Sequence, residues 1–430
     1  MERPGRSLPV RNRRRPAEAF ATRAHWGPVL GFGLVSLAAD VVSDGARPLA
    51  GPLLAHLGAS ALLVGLVTGG AEAAAQGLRL VFGPWADRTR RYWTFTLAGY
   101  ALTAVSIPLL ALAPVMGAAG LVLACTLILG DRVGKAVRSP AKTVLLAAAA
   151  KPMGRGRGFA VHKSLDLAGA LLGPLLVSAV LAATGLITAA FAVLALPASA
   201  AMFLLVRLRR RVPDPGAPAQ ADYPTSASPP TSASPPTSAS PPTAAQPSLL
   251  TGTFLLFGIA AFFWSAGLVA FGVISFHLTT TAAVPVAVIP LLYAGAMGAA
   301  AFGALASGVI YDRAGGAVLL ALPLLIAAVP VLALAPSAGL VLAGILVWGT
   351  ATGVQDSTVK ALIADLVPEL RQGTAYGVFA AFEGAGALAG GGLYGVLYGD
   401  ARPLLIGAVG GLQVLAVVVL LVALRKAQRT

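Results

Sequence analysis

Apolar residues fill this chain in long blocks from Trp26 to Leu424, each separated from the next by a few polar or turn residues. A helix needs about 20 residues to cross a hydrocarbon core of about 30 Å, and the blocks have that length. A transmembrane barrel would show short segments alternating between apolar and polar, a pattern absent here. The spacing predicts an all-α membrane protein of twelve transmembrane helices. They fall at roughly 26–46, 59–82, 92–113, 117–148, 158–183, 185–206, 249–277, 284–310, 316–335, 338–366, 374–398 and 402–424. Between the sixth and seventh lies Tyr223–Pro247, a Pro/Ser/Thr/Ala tract that repeats Thr-Ser-Ala-Ser-Pro-Pro. With no apolar face to bury, it is expected to be a disordered cytoplasmic tether between two six-helix halves. The chain then divides into a basic tail (1–25), an N-terminal half (26–206), a linker (207–248), a C-terminal half (249–424) and a short tail (425–430).

The second half repeats the charge plan of the first. Asp131 and Lys135 recur as Asp356 and Lys360, and Asp166 recurs as Glu383. The turn Gly83-Pro84-Trp85-Ala86-Asp87-Arg88 recurs as Gly308-Val309-Ile310-Tyr311-Asp312-Arg313. Gly156, Phe159, Gly169 and Gly173 return as Gly373, Tyr376, Gly386 and Gly390. Small residues let helices approach closely in lipid, so packing alone would explain the glycines. Charges inside a membrane helix cost several kcal/mol and mark functional positions. Matched charges in two halves predict a transporter with its site between internal repeats.

Composition changes the picture at two points. Only 11% of the 430 residues are charged and 57% are hydrophobic, against about 25% charged in a soluble domain. The net charge of +15 would suggest nucleic acid until the bases are placed. They cluster before the first span, at Arg88, Arg90 and Arg91, at Lys151, Arg155 and Arg157, at Arg207–Arg211, and at Arg425, Lys426 and Arg429. The opposite connections carry only Arg47 and Arg402. This is the positive-inside bias, which puts both termini in the cytoplasm and removes the case for nucleic acid. The lone Cys125 excludes an intramolecular disulfide. Asp40 interrupts the first apolar stretch and no cleavage site follows, so that stretch is expected to be a retained helix.

At 100° per residue, Asp131, Lys135, Arg138 and Lys142 share one face of the fourth helix, with Arg132 about 100° away. Such a face must look into a bundle or a watery cavity. An Asp131–Lys135 ion pair between turns is the simpler alternative, and Lys142 is close enough to the boundary to snorkel. Ser36, Asp40, Asp44 and Arg47 share a face of the first helix; Glu72, Gln76 and Arg79 share one of the second. His162, Asp166, Gly169 and Gly173 line up in the fifth with Lys163 to one side, and Tyr376, Phe379, Glu383 and Gly390 in the eleventh. Desolvation raises a carboxyl pKa and a nearby cation lowers it, so acids beside bases in a changing cavity can exchange protons. Asp40, Glu72, Asp131, Asp166, Asp356 and Glu383 are the proton-coupling candidates. Arg132, Lys135, Arg138, His162, Lys163 and Lys360 are the substrate-cavity candidates.

Gly83-x-x-x-Asp87-Arg88-x-Arg90-Arg91 resembles the signature loop of the major facilitator superfamily, with a weaker copy at Gly308-x-x-x-Asp312-Arg313-x-Gly315. The resemblance covers nearly the whole chain and implies the family's two pseudo-symmetric six-helix halves. It also implies that Gly83, Asp87, Arg88 and Arg91, with Gly308, Asp312 and Arg313, gate the cytoplasmic side. The first copy departs at Arg90, where the family prefers glycine, and the second at Gly316, where a base is usual. Gly169-x-x-x-Gly173-Pro174 looks like the glycine-proline motif of the family's antiporters. Arg132 lies near an arginine that the family ties to proton transfer, although Ala136 replaces the glycine expected four residues on. The stretch Asp131–Arg138 resembles bacterial permeases whose substrates are largely undefined.

Enzyme chemistry finds no support. Gly130–Lys135 is one residue short of a phosphate-binding loop, lacks the following Ser/Thr and follows no strand. His25, His56, His162 and His277 are too dispersed for a metal site, and no nucleophile has a base partner. The expectation is a secondary transporter in the cytoplasmic membrane, monomeric and free of cofactors. It is expected to be proton-coupled, with efflux by antiport in view, and to carry a small anionic or lipophilic solute. The competing reading is a receptor or assembly factor on a transporter-like scaffold.

Overall fold

A computed structural model describes residues 15–214, 251–367, 371–399 and 401–427. The predicted tether and both extreme ends lie outside these residues. Every regular element among those described is helical. In the first half, α1 (Arg15–Ala46) passes through a single 3-10 turn (Arg47–Leu49) into α2 (Ala50–His56), and α3 (Ala61–Gly77) leads into α4 (Arg79–Thr89). Then come α5 (Tyr92–Leu109), α6 (Ala118–Ala150), α7 (Arg155–Thr184), α8 (Ile187–Ala192) and α9 (Ala195–Arg209). The second half holds α10 (Gly252–Gly267), α11 (Phe271–Thr280), α12 (Ile289–Ala314), α13 (Ala321–Ala333), α14 (Ala338–Leu366), α15 (Gln372–Leu397) and α16 (Arg402–Ala427).

Nine stretches among the described residues are long and apolar enough to cross a membrane. One of the nine, Ile289–Ala333, contains both α12 and α13. The long helices α6 and α15 stand outside the set; α6 carries Asp131, Arg132, Lys135, Arg138 and Lys142, and α15 is rich in glycine. Two predicted boundaries need correction. The first helical stretch does not end at residue 46 but continues to His56, because Pro48 sits in the opening turn of new helix, where its missing N–H costs nothing. Arg47, read as a residue of an outer connection, is therefore inside that stretch. The signature loop is also helical as far as Thr89.

The repeat is visible in the packing. A Cβ at Gly169 of α7 would strike the Leu37 carbonyl of α1, and one at Gly173 would strike that of Val41. Gly386 and Gly390 of α15 stand in the same way against the carbonyls of Phe262 and Ala266 of α10. The glycines therefore seat one helix on another identically in the two halves, as small residues do in lipid. The halves meet along α3 and α15, where Gly65 and Gly391 bring the backbones together, and where α2 lies on α11.

The core is divided unevenly between the two ends of the bundle. At the end marked by α2, one continuous cluster takes Leu49, Leu53 and Leu54 from the first half and Phe271, Ile274 and Leu278 from the second. At the end marked by α4 each half has its own core. Phe32, Trp93, Leu145 and Leu205 form one; Phe257, Leu322, Leu362 and Leu420 belong to the other. The halves are thus sealed together at one end and separately packed at the other.

Candidate functional site

The sealed end contains an ion network that joins the halves. Arg47 Nη2 donates to Glu72 Oε1 of α3 at 2.6 Å, and Nη1 donates to the Tyr293 hydroxyl of α12 at 3.3 Å. The same hydroxyl donates to Asp44 Oδ1 at 3.0 Å, and Asp44 lies 4.0 Å from Arg47. Tyr293 has no exposed surface. Its ring meets Phe271 at 4.8 Å and Trp348 at 6.3 Å. Trp348 Nε1 donates to the Val269 carbonyl at 2.7 Å, inside the break between α10 and α11. That bond satisfies backbone which leaves the helix at membrane depth. Neither Tyr293 nor Trp348 was singled out from the sequence, since an aromatic in an apolar run reads as core. Arg47 was legible only through the face it shares with Asp44.

Deeper along α6, Asp131 accepts from Ser43 Oγ at 3.0 Å and lies 3.4 Å from Arg132 Nε. The alternative Asp131–Lys135 pair does not form: the adjacent guanidinium takes the carboxylate, and Ser43 fills its other oxygen. Asp131 and Arg132 are 2% and 5% exposed, so both sit inside the packing despite pointing in different directions on the wheel. Arg132 Nη1 is buried without a hydrogen-bond partner.

Toward the α4 end, Ser36 is a hub. Its hydroxyl contacts Tyr100 OH at 3.2 Å and His162 Nε2 at 2.9 Å, and accepts from Lys142 Nζ at 3.0 Å. Lys142 therefore turns into the bundle instead of snorkelling. His162 Nδ1 and Lys163 Nζ each stand 3.8 Å from Asp166. Asp40 sits among Asp166, Asp44, Lys135 and Lys142. Arg138 is drawn away from this group: it donates to Thr103 and lies 4.6 Å over the Tyr100 ring. It ties α6 to α5 and is buried there.

The second half reuses the positions with different partners. Glu383 accepts from Gln355 Nε2 at 2.7 Å. Asp356, the repeat of buried Asp131, is exposed, as is Lys360, whose carbonyl accepts from Tyr376. Arg79 comes across from α4 to face Asp356 and Glu383, which act on it through space without reaching ion-pair distance. Sequence reasoning placed Arg79 on a face and gave it no role.

The signature motif occupies the end of α4. Asp87 accepts from Tyr92 OH at 3.2 Å, while Arg88 and Arg91 are exposed. Arg90 has φ 53° and ends the helix in the left-handed region; Gly315, its counterpart, has φ 54° after α12. The two share only the sign of φ: Arg90, with ψ 20°, is left-handed and carries strain of roughly 1–2 kcal/mol, whereas Gly315, with ψ −146°, is in a region that glycine alone enters readily. Gly83 is close only to Pro140, and Gly308 only to Ser357. Asp312 and Arg313 are exposed, and the neighbouring Tyr311 donates to Asp365 of α14 at 2.7 Å.

Comparison with known proteins agrees with this architecture. A family model described as Major Facilitator Superfamily matches residues 32–391. An uncharacterised protein of Mycobacterium tuberculosis is 46% identical over 396 residues, 92% of each chain. An uncharacterised MFS-type transporter of Methanocaldococcus jannaschii is 28% identical over 142 residues, 33% of this chain and 34% of its own. Among solved structures, a substituted form of the nucleoside transporter NupG superposes with a TM-score of 0.69 at 12% identity, covering 92% of this chain and 100% of that one. A D-xylose-proton symporter gives 0.65 at 14% identity, with 93% and 97% covered. At those identities the structures speak for the fold alone. Repeat-matched packing, several apolar crossings and a family match over most of the sequence lead to one conclusion: this multi-pass membrane protein is no enzyme and belongs to the Major Facilitator Superfamily of transporters.

Proposed function

We propose that this protein is a proton-coupled secondary transporter that moves a small anionic solute across the cytoplasmic membrane by alternating access, as a monomer. The observation that carries the reading is the partition of the core, one shared cluster at the α2 end and two separate clusters at the α4 end. Two packed bodies joined at one end can rock about their contact, and α3 against α15 supplies a glycine-smoothed surface for that motion. Closing the α4 end would bring Arg79 onto Asp356 and Glu383 and break the Tyr293 contact to Asp44 and Arg47. Asp87, Arg88 and Arg91 with Asp312 and Arg313 lie at the end that opens and closes, in keeping with a gate. The sealed end is then extracytoplasmic.

Asp40 and Asp166 beside Lys135, Lys142 and His162, with Glu383 opposite, supply acids whose charge depends on the state of the cavity. The antiporter-like glycines at Gly169 and Gly173 have a packing role that Gly386 and Gly390 repeat. A non-transporting scaffold gains nothing from an exposed Asp356 and Lys360 between its halves. The test is solute flux in proteoliposomes as a function of an imposed pH gradient, across a panel of anions, cations and neutral solutes. Flux indifferent to the gradient for every solute would defeat the coupling.

Orientation follows from the basic clusters. We read twelve crossings, the nine apolar stretches with Ile289–Ala333 counted twice and α6 and α15 added, and a tether between the halves. Reporter fusions at Gly154, at Thr231 and at the C-terminus are expected to give cytoplasmic signals. An extracytoplasmic signal at Thr231 would refute the two-half arrangement.

A further inference from the structure

We infer that Arg132 and Lys135 of α6 form the seat for a carboxylate group of the transported solute, held just inside the sealed end. The inference deepens the transport reading and rests on it. Arg132 is 5% exposed, yet its Nη1 is buried with no partner, while its Nε is engaged by Asp131. A buried guanidinium with an unfilled donor is costly unless a ligand fills it. Lys135, three residues on and therefore adjacent on the helix surface, makes no hydrogen bond or ion pair among the described residues. The groups acting on it are Asp44, Arg132, Arg47 and Asp40.

The local partners show why this place is short of a hydrogen-bond acceptor. Arg47 already serves Glu72 and lies beside Asp44. Asp131 is shared between Arg132 and Ser43. Asp40 has Lys142 as well as Lys135 near it. Asp131 occupies Arg132 Nε, and the acids that act on Lys135, Asp44 and Asp40, do so through space without a hydrogen bond, which leaves Arg132 Nη1 and the Lys135 ammonium as unfilled donors. A carboxylate matches these donors, because it offers two oxygens to two cationic groups. Arg132 also acts on Glu72 and Tyr293, so the seat adjoins the network that joins the halves. Arg138, bonded to Thr103 and stacked on Tyr100, is not part of it.

The test compares probes that differ only in the carboxylate. Benzoate with benzamide, and acetate with acetamide, are titrated at constant ionic strength against the purified protein in lipid nanodiscs, with thermal stabilisation as the readout. Both carboxylates are expected to stabilise the wild type saturably, and the amides are not. Lys135→Gln is expected to weaken benzoate about tenfold or more, the usual consequence of losing a charged hydrogen-bond partner. Arg132→Lys keeps the counter-charge for Asp131 while removing Nη1, and is expected to weaken benzoate as well without unfolding the protein. Lys151→Gln, which removes an equal charge from the surface, is the control and is expected to bind like wild type. Equal effects of acid and amide, or wild-type benzoate affinity in either α6 variant, would overturn the assignment. pH-driven flux of other solutes without carboxylate binding would remove the seat and leave the transport reading standing. Carboxylate binding with no flux of any solute would do the reverse.

Discussion

Arg47→Gln is expected to unseal the α2 end. The substitution removes the one cation that holds Glu72 at 2.6 Å and lies 4.0 Å from Asp44, and leaves two carboxylates confined near each other. The pair is part-buried, with side chains 22% and 31% exposed, so deleting one partner costs about 1.5–3 kcal/mol, the worth of a hydrogen bond to a charged group. If that cost falls on the sealed state alone, the equilibrium between sealed and open shifts by roughly tenfold or more. Tyr293→Phe keeps the ring among Phe271 and Trp348 but removes the hydroxyl that reaches Asp44 and Arg47. Its effect is expected to be smaller, about 1 kcal/mol or roughly fivefold. Both are read from spin-label distances between Val115→Cys and Leu404→Cys in a Cys125→Ser background. The outer separation should lengthen strongly in Arg47→Gln and modestly in Tyr293→Phe. The double variant Arg47→Gln/Glu72→Gln removes a stranded charge and is expected to recover part of the loss. A wild-type distance distribution in Arg47→Gln would show that the network does not hold the halves together.

Asp166→Asn and Glu383→Gln are expected to uncouple flux from the proton gradient. Asp166 is the acid shared by His162 and Lys163, and Glu383 rests on Gln355 in the opposite half. Each variant keeps the shape and the hydrogen-bonding capacity of its site but cannot release a proton. A single titrating carboxyl can change its protonation ratio by up to about tenfold per pH unit, and the rate ratio over that unit is expected to fall to about one. Yield and thermal stability should stay close to wild type, since an amide at 383 can still accept from Gln355 and Asp166 Oδ1 accepts no hydrogen bond that would be lost. Unchanged pH dependence in both variants would leave Asp166 and Glu383 as interhelical hydrogen-bonding groups without a role in coupling.

The place of each group was easier to anticipate than its partner. The carboxyl at position 131 and its repeat at 356 were found together from spacing, yet one is buried between Ser43 and Arg132 and the other is exposed. Helical periodicity orders residues around one axis and says nothing about the neighbouring helix. Arg138 shows the same limit. It shares a wheel face with Lys135 and Lys142, but Thr103 and the Tyr100 ring of α5 divert it.

What the sequence determined by itself is what local physics decides. Continuous apolar blocks require membrane helices, because hydrocarbon offers no partner for an open backbone. Repeated charges and glycines disclosed two matching halves, since a costly residue at the same place twice is seldom accidental. The preference for glycine at one turn, met at Gly315 and missed at Arg90, reflects a positive φ at the helix end in both copies, while their ψ angles of −146° and 20° differ. The tertiary structure alone decided which end of the halves is sealed, that Tyr293 joins them through Arg47 and Asp44, and that Arg132 keeps a donor unfilled. These depend on side chains up to 249 positions apart meeting in space. Burial, and with it the strength of every charge, is a property of the assembled bundle and of no single helix.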